Sequence, residues 1–144
     1  MTEKPAPVQS VLFACTLNAV RSPMAEALAR HSFGKQAYID SAGVTKEDVD
    51  GFAVCVMREI GIEMADHLPQ CFDEVDCGAF DLIIALSPEA RARALDLTRT
   101  TATAVEFWPV ADLSGAGETR SQRLDAYREM RDGLRARIRA RFGI

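Results

Sequence analysis

The sequence predicts an α/β fold in which one parallel sheet carries helices on both faces. Three observations predict it. Short apolar, β-branched runs alternate with helical patterns in the order β-α-β-α-β-α-β-α. The run FDLIIAL at residues 80–86 is apolar enough to be covered on both sides. Gly34, Gly43 and Gly61 close runs, while Ser22-Pro23 and Ser87-Pro88 open helices with a serine cap and a proline at the first position. A length of 144 residues suits one ordinary domain, and no repeat, linker or low-complexity segment divides it. Residues 1–7 read as a flexible proline-containing tail and 8–144 as the domain.

Each element follows from local pattern. Residues 8–14 (VQSVLFA) form a buried strand, and residues 15–21 a loop. The first helix starts at the Ser22 cap, turns Met24, Ala25, Leu28 and Ala29 inward, and ends near Phe33-Gly34. Residues 38–42 are a second strand, 44–50 a charged loop, and 52–60 a helix with Phe52, Val56 and Ile60 on one face. Residues 62–79 are irregular or hold short turns. Strand 80–86 leads into a helix from Ser87-Pro88 to about Leu97, then strand 104–107. A loop over 108–118 precedes one long helix, with Leu124, Tyr127, Leu134, Ile138 and Phe142 recurring at three- and four-residue steps.

Composition narrows the function. The apolar share of 48% supports a real core, and no apolar run approaches the roughly 20 residues of a membrane span. The first residues lack the basic and apolar regions of a signal peptide, so a cytoplasmic protein is expected. The net charge of -4 argues against nucleic acid as partner. Residues 120–142 run the other way, with eight arginines against Asp125, Glu129 and Asp132. That stretch reads as a solvated face with i,i+4 pairs such as Arg128–Asp132. Cys15, Cys55, Cys71 and Cys77 are expected as thiols, Cys55 in the core, and their spacing matches no metal site. No cofactor is expected. His31 and His67 receive no role.

The loop after the first strand carries the chemistry. In a doubly wound sheet, ligands bind beyond the carboxyl ends of strands where strand order reverses. Cys15 and Arg21 stand there with five residues between them. A loop of that length can curl so that the amides of Thr16, Leu17, Asn18, Ala19, Val20, Arg21 and Ser22 face one centre. The following helix adds positive potential, and Arg21 can offer two parallel N–H bonds to phosphate oxygens. The same field favours the thiolate of Cys15. One site thereby holds a phosphoryl dianion and aims a nucleophile at phosphorus.

The stretch VLFACTLNAVRSPMAEAL resembles the opening of low-molecular-weight protein-tyrosine phosphatases and the related arsenate reductases. Asp40-Ser41-Ala42-Gly43 resembles that family's second-strand ending, and Trp108-Pro109-Val110-Ala111-Asp112 its acid loop. The resemblance implies a three-layer α/β/α fold of the flavodoxin-like phosphatase type, with four strands in the order 2-1-3-4. It implies Cys15 as nucleophile, Arg21 as phosphate clamp, Ser22 as the hydroxyl tempering the thiolate, Asn18 as loop brace and Asp112 as general acid. The expected substrates are phosphorylated proteins or small aryl phosphates, with phosphate or arsenate as ligand, on a monomer or weak homodimer.

Departures from the family pattern set further expectations. Leu17 replaces a glycine and is strained if that position needs positive φ. Val20 replaces a second cysteine, so no loop disulfide can protect Cys15. Leu113 replaces a proline after Asp112, which loosens the acid loop. Ser87 stands where thioredoxin-coupled reductases place a resolving cysteine, and Cys71 and Cys77 come too early to substitute. Rings that would flank a phenol are absent at Val44-Thr45-Lys46 and Leu113-Ser114, leaving Trp108 as the only nearby large aromatic. A tyrosine-type phosphomonoesterase is the first expectation. An arsenate reductase using an external thiol and a non-catalytic phosphopeptide-binding module are the alternatives.

Overall fold

The computed structural model describes residues 8–144, so the tail expected at 1–7 lies outside the described residues. The strands are β1 (Ser10–Cys15), β2 (Tyr38–Gly43), β3 (Leu82–Ala85) and β4 (Ala104–Phe107). The helices are α1 (Arg21–Phe33), α2 (Gly51–Arg58), α3 (Pro88–Leu97) and α4 (Arg120–Phe142). All pairings are parallel and the sheet order is β2-β1-β3-β4, as the family resemblance implies. Among the described residues no helix is long and apolar enough to cross a membrane.

Alternation along the central strands splits the core into two layers. Val11 and Phe13 face a layer built with α1, α2 and α4, while Leu12 and Ala14 face α3. Leu82, Ile83 and Ile84 are buried on both sides. Side chains of that size stabilise the fold by about 1.5–3 kcal/mol each. The central strands are therefore a fixed platform for the loops at their carboxyl ends.

Several boundaries move for identifiable reasons. β1 begins at Ser10 rather than residue 8, because the Gln9 N–H donates to Asp81 Oδ2 at 2.9 Å instead of to a ladder partner. β3 is trimmed in the same way, the Asp81 N–H going to Ser10 Oγ. α2 begins at Gly51, capped by Asp50, whose Oδ1 accepts from Phe52 N and Ala53 N. Ser87 caps α3 as expected, accepting from Ala90 N. α4 opens on a capping box of Thr119 and Gln122.

α1 is a correction. It starts at Arg21, with Val20 at the capping position, and Ser22 is not its cap. The Ser22 hydroxyl is committed to Cys15 and Asn18 instead. Cys55 is also corrected, since it is half-buried at the rim of the larger layer. The expected Arg128–Asp132 pair is absent: Arg128 binds Glu59 and Asp125, and Asp132 pairs with Arg131.

Gly43 ends β2 where the chain must pass under the Cys15 loop. A Cβ here would overlap the Thr45 carbonyl oxygen and stand 2.8 Å from Asn18 N. Gly43→Ala is expected to cost about 1–3 kcal/mol in urea unfolding. An unchanged midpoint would show that residues 44–50 yield freely.

Candidate active site

Residues Cys15 to Arg21 leave the sheet at the β1 end, between β2 and β3, which is the strand-order reversal of this sheet. Their carbonyls are taken from outside. Val44 N donates to Cys15 O, Thr45 N to Thr16 O, Glu47 N to Leu17 O and Asp50 N to Ala19 O. No peptide bond is cis among the described residues, so each N–H points opposite the preceding carbonyl. The amides of Thr16, Leu17, Asn18 and Val20 therefore face inward, and none donates to a protein acceptor among the described residues. That is the geometry of an anion cup.

Asn18 holds the cup. It has φ 52, the only positive φ of a non-glycine residue among those described. Leu17 does not share it, so the leucine in place of glycine carries no such strain. The Asn18 side chain is fully buried and makes four hydrogen bonds. Its Nδ2 donates to Ser22 Oγ and Ser41 Oγ, each at 2.9 Å. Its Oδ1 accepts from Gln70 N and lies 3.0 Å from His67 Nε2. A backbone N–H can only donate, which fixes this end as the oxygen, and His67 Nε2 must then carry a proton. Ser22 accepts from Asn18, which leaves its own hydroxyl hydrogen for Cys15 Sγ at 2.9 Å.

Behind Asn18 lies a second polar layer. Ser41 Oγ donates to Glu26 Oε1 at 2.8 Å, and Glu26 also pairs with Arg30. Burial raises the Glu26 carboxyl above its ordinary value, against the Ser41 hydrogen bond and Arg30, which lower it. Burial likewise lowers His67, against its bond to Asn18 and the nearby Asp40. Neither His67 nor Glu26 was marked by the sequence. Gln70, which also binds Ser41 O through Nε2, was not marked either.

Arg21 projects from the first turn of α1, and its Nη1 donates to Val110 O at 2.8 Å, with Leu86 O at 3.5 Å. Asp112 reaches the same place although β4 is not a neighbour of β1. The chain after β4 is laid across the end of β3, Trp108 N donating to Ala85 O and Val110 N to Leu86 O. Cys15, Arg21 and Asp112 thus line one cleft of about 430 Å³, with Thr16, Leu17, Ala19, Val20 and Ser114. Burial pushes the Asp112 carboxyl up, but two hydrogen bonds from Ser114 and the charge of Arg21 outweigh it and hold it below its ordinary value.

Trp108 is not beside this cleft. It is buried, edge-on to Phe13 with Arg137 over its ring. Ser87 is buried too, taking a hydrogen bond from Thr16 Oγ1.

A family model for low molecular weight phosphotyrosine protein phosphatase matches residues 10–137. The chain belongs to this family. An arsenate reductase of Brevibacillus brevis is 32% identical over 91% of this chain and 92% of its own length. The structure of the tyrosine phosphatase amsI of Erwinia amylovora superposes with a TM-score of 0.79 at 22% identity, covering 96% of this chain and 93% of that one. The YwlE arginine phosphatase of Geobacillus stearothermophilus gives 0.79 at 23%, covering 94% and 91%. Low-molecular-weight phosphatase relatives thus share this architecture while differing in named activity.

Two outcomes test the brace. Asn18→Ala and Asn18→Gly should each cost about 2–4 kcal/mol in urea unfolding. Their agreement would place the loss in the hydrogen bonds rather than in φ. His67 has a folded value below its unfolded one, so its contribution is present above about pH 6.5 and is lost as pH falls. Wild type should lose more stability than His67→Gln between about pH 7 and pH 5, and parallel curves would contradict this.

Proposed function

We propose that this chain is a cysteine-dependent phosphomonoesterase. The observation that carries the reading is the meeting of the Cys15 thiol, the Arg21 guanidinium and the Asp112 carboxyl in the cleft whose floor is the inward amides. The Thr16–Ser22 loop holds the phosphoryl oxygens and Arg21 clamps them. Cys15 Sγ attacks phosphorus, the bond to the leaving oxygen breaks, and Asp112 protonates that oxygen. The thiophosphoryl-cysteine is then hydrolysed. Asp112 takes a proton from water, the water oxygen bonds to phosphorus, and the S–P bond breaks to return the thiolate and release inorganic phosphate. No step needs a cofactor. The family model's description supports the finer reading of a protein-tyrosine phosphatase.

The relatives named arsenate reductases favour a second reading on the same loop. Reducing arsenate to arsenite takes two electrons, which two thiols supply on forming a disulfide. Cys71 is bonded to Glu74, Cys77 packs in the α3 layer, and Ser87 has no thiol. A reductase here would use Cys15 with one external thiol, and a second external thiol would clear the mixed disulfide.

Para-nitrophenyl phosphate hydrolysis measured beside arsenate-dependent thiol consumption separates the two. Phosphatase turnover is expected, abolished in Cys15→Ser and reduced in kcat by about 10²–10⁴-fold in Asp112→Asn. Arsenate reduction without ester hydrolysis would overturn the first reading in favour of the second.

A further inference from the structure

The cleft around Cys15 has a chemistry that the phosphoryl group does not explain. Glu47, Asp48, Asp50, Glu89 and Asp112 all line it. Arg21 is the only cation among its lining residues, and no aromatic side chain is among them. Two of these carboxylates have structural work: Asp50 caps α2 and accepts from Tyr127 OH, and Asp112 is held by Ser114. Glu89 takes a long contact of 3.4 Å from Thr16 Oγ1. Glu47 and Asp48 have no ion pair or side-chain hydrogen bond among the described residues. Lys46, next to them in sequence, is committed to Glu74 instead. Nor are the five placed as a metal site, since no group of three or more His, Cys, Asp or Glu residues could hold an ion among those described.

A mouth of this kind opposes its own substrate if the substrate is simply an anion. The cup needs a dianion at its floor, and the rim repels one on the way in and offers no face to a phenol ring. Positive charge on the leaving-group side reverses the sign of the rim interaction and leaves the cup untouched. We propose that the physiological substrate is a phosphoryl compound whose leaving group carries an organic cation, and that Glu47, Asp48 and Glu89 on the cleft lining select for that charge. This rests on the phosphatase reading and names the substrate class within it. The anionic end is read by the Cys15–Ser22 loop and Arg21, and the cationic end by the acidic lining.

A charge series of aryl phosphates tests it: 4-(aminomethyl)phenyl, 4-(hydroxymethyl)phenyl and 4-carboxyphenyl phosphate. The expected order of kcat/KM is cationic above neutral above anionic, each step about tenfold at about 0.01 M salt and compressed at about 1 M, where screening is nearly complete. In Glu47→Gln/Asp48→Asn the cationic-to-neutral ratio should fall about tenfold. Equal rates across the series in wild type, with brisk turnover of the neutral ester, would overturn the charge selection and leave the phosphatase reading standing. Calorimetry on Cys15→Ser supplies an arm independent of turnover. The cationic ester is expected to bind tighter than the neutral one, and equal affinities would count against selection. If no ester binds and none is hydrolysed, both readings fall together.

Discussion

The site depends on one buried amide. A loop of seven residues can face its N–H groups inward only if its carbonyls find partners outside and one residue takes a left-handed turn. Residues 44–50 supply the partners, and Asn18 supplies the turn at φ 52. Asparagine tolerates that conformation better than most residues. Its side chain then ties the loop to Ser22, Ser41, His67 and Gln70 at once. Water cannot substitute for these bonds, because the side chain is fully buried. Losing any of them leaves a desolvated polar group behind, which is the costly case. The bracing reaches the Cys15 thiol directly, since Asn18 sets which way the Ser22 hydroxyl points.

The remaining groups borrow their positions from the sheet. Cys15 is the last residue of β1, a strand with almost no exposed atoms, so its Cα is fixed by the core. The Asp112 loop is hydrogen-bonded to the end of β3, and the carbonyl of Val110 on that loop receives Arg21. The Arg21 guanidinium and the Asp112 carboxyl are therefore located by one segment. A change in how residues 108–112 lie on β3 would displace both, and packing of Trp108 against Phe13 resists it.

Sequence carried the cup and named Asn18 as its brace, but lost the brace's distant partners. Cys15, Arg21 and Ser22 lie within one loop and helix start, and strand-loop-helix context alone points to an anion site. His67 and Gln70 are 49 and 52 positions from Asn18, and no local pattern marks them. Ser22 shows the limit of a local signal. Ser-Pro reads as a helix cap wherever it occurs, and it is one at Ser87, but at Ser22 a tertiary partner takes the hydroxyl. Trp108 misleads in the same way, since nearness in sequence to Asp112 did not put its ring near the cleft. The acidic rim was not legible because its members come from three places far apart in sequence, the 44–50 loop, the first turn of α3 and the loop after β4.

The charge of Asp112 joins the geometry to the proposed chemistry. In the resting cleft the carboxyl is held low by Ser114 and Arg21 despite its burial, which suits a base and not an acid. Protonating a leaving oxygen requires the opposite state. In the proposed reaction the reactants themselves supply the shift, since a thiolate and a phosphoryl dianion in the cup place three further negative charges beside the carboxyl. Arg21, which donates to Val110 O in the resting cleft, would turn at the same time toward the phosphoryl oxygens, and like charge nearby favours the protonated acid. Once the leaving group has gone and the phosphoryl group is bound to sulfur, the repulsion falls and the carboxylate returns as the base that hydrolysis needs. One residue can then serve both half-reactions because the substrate, and not the fold, moves its proton affinity.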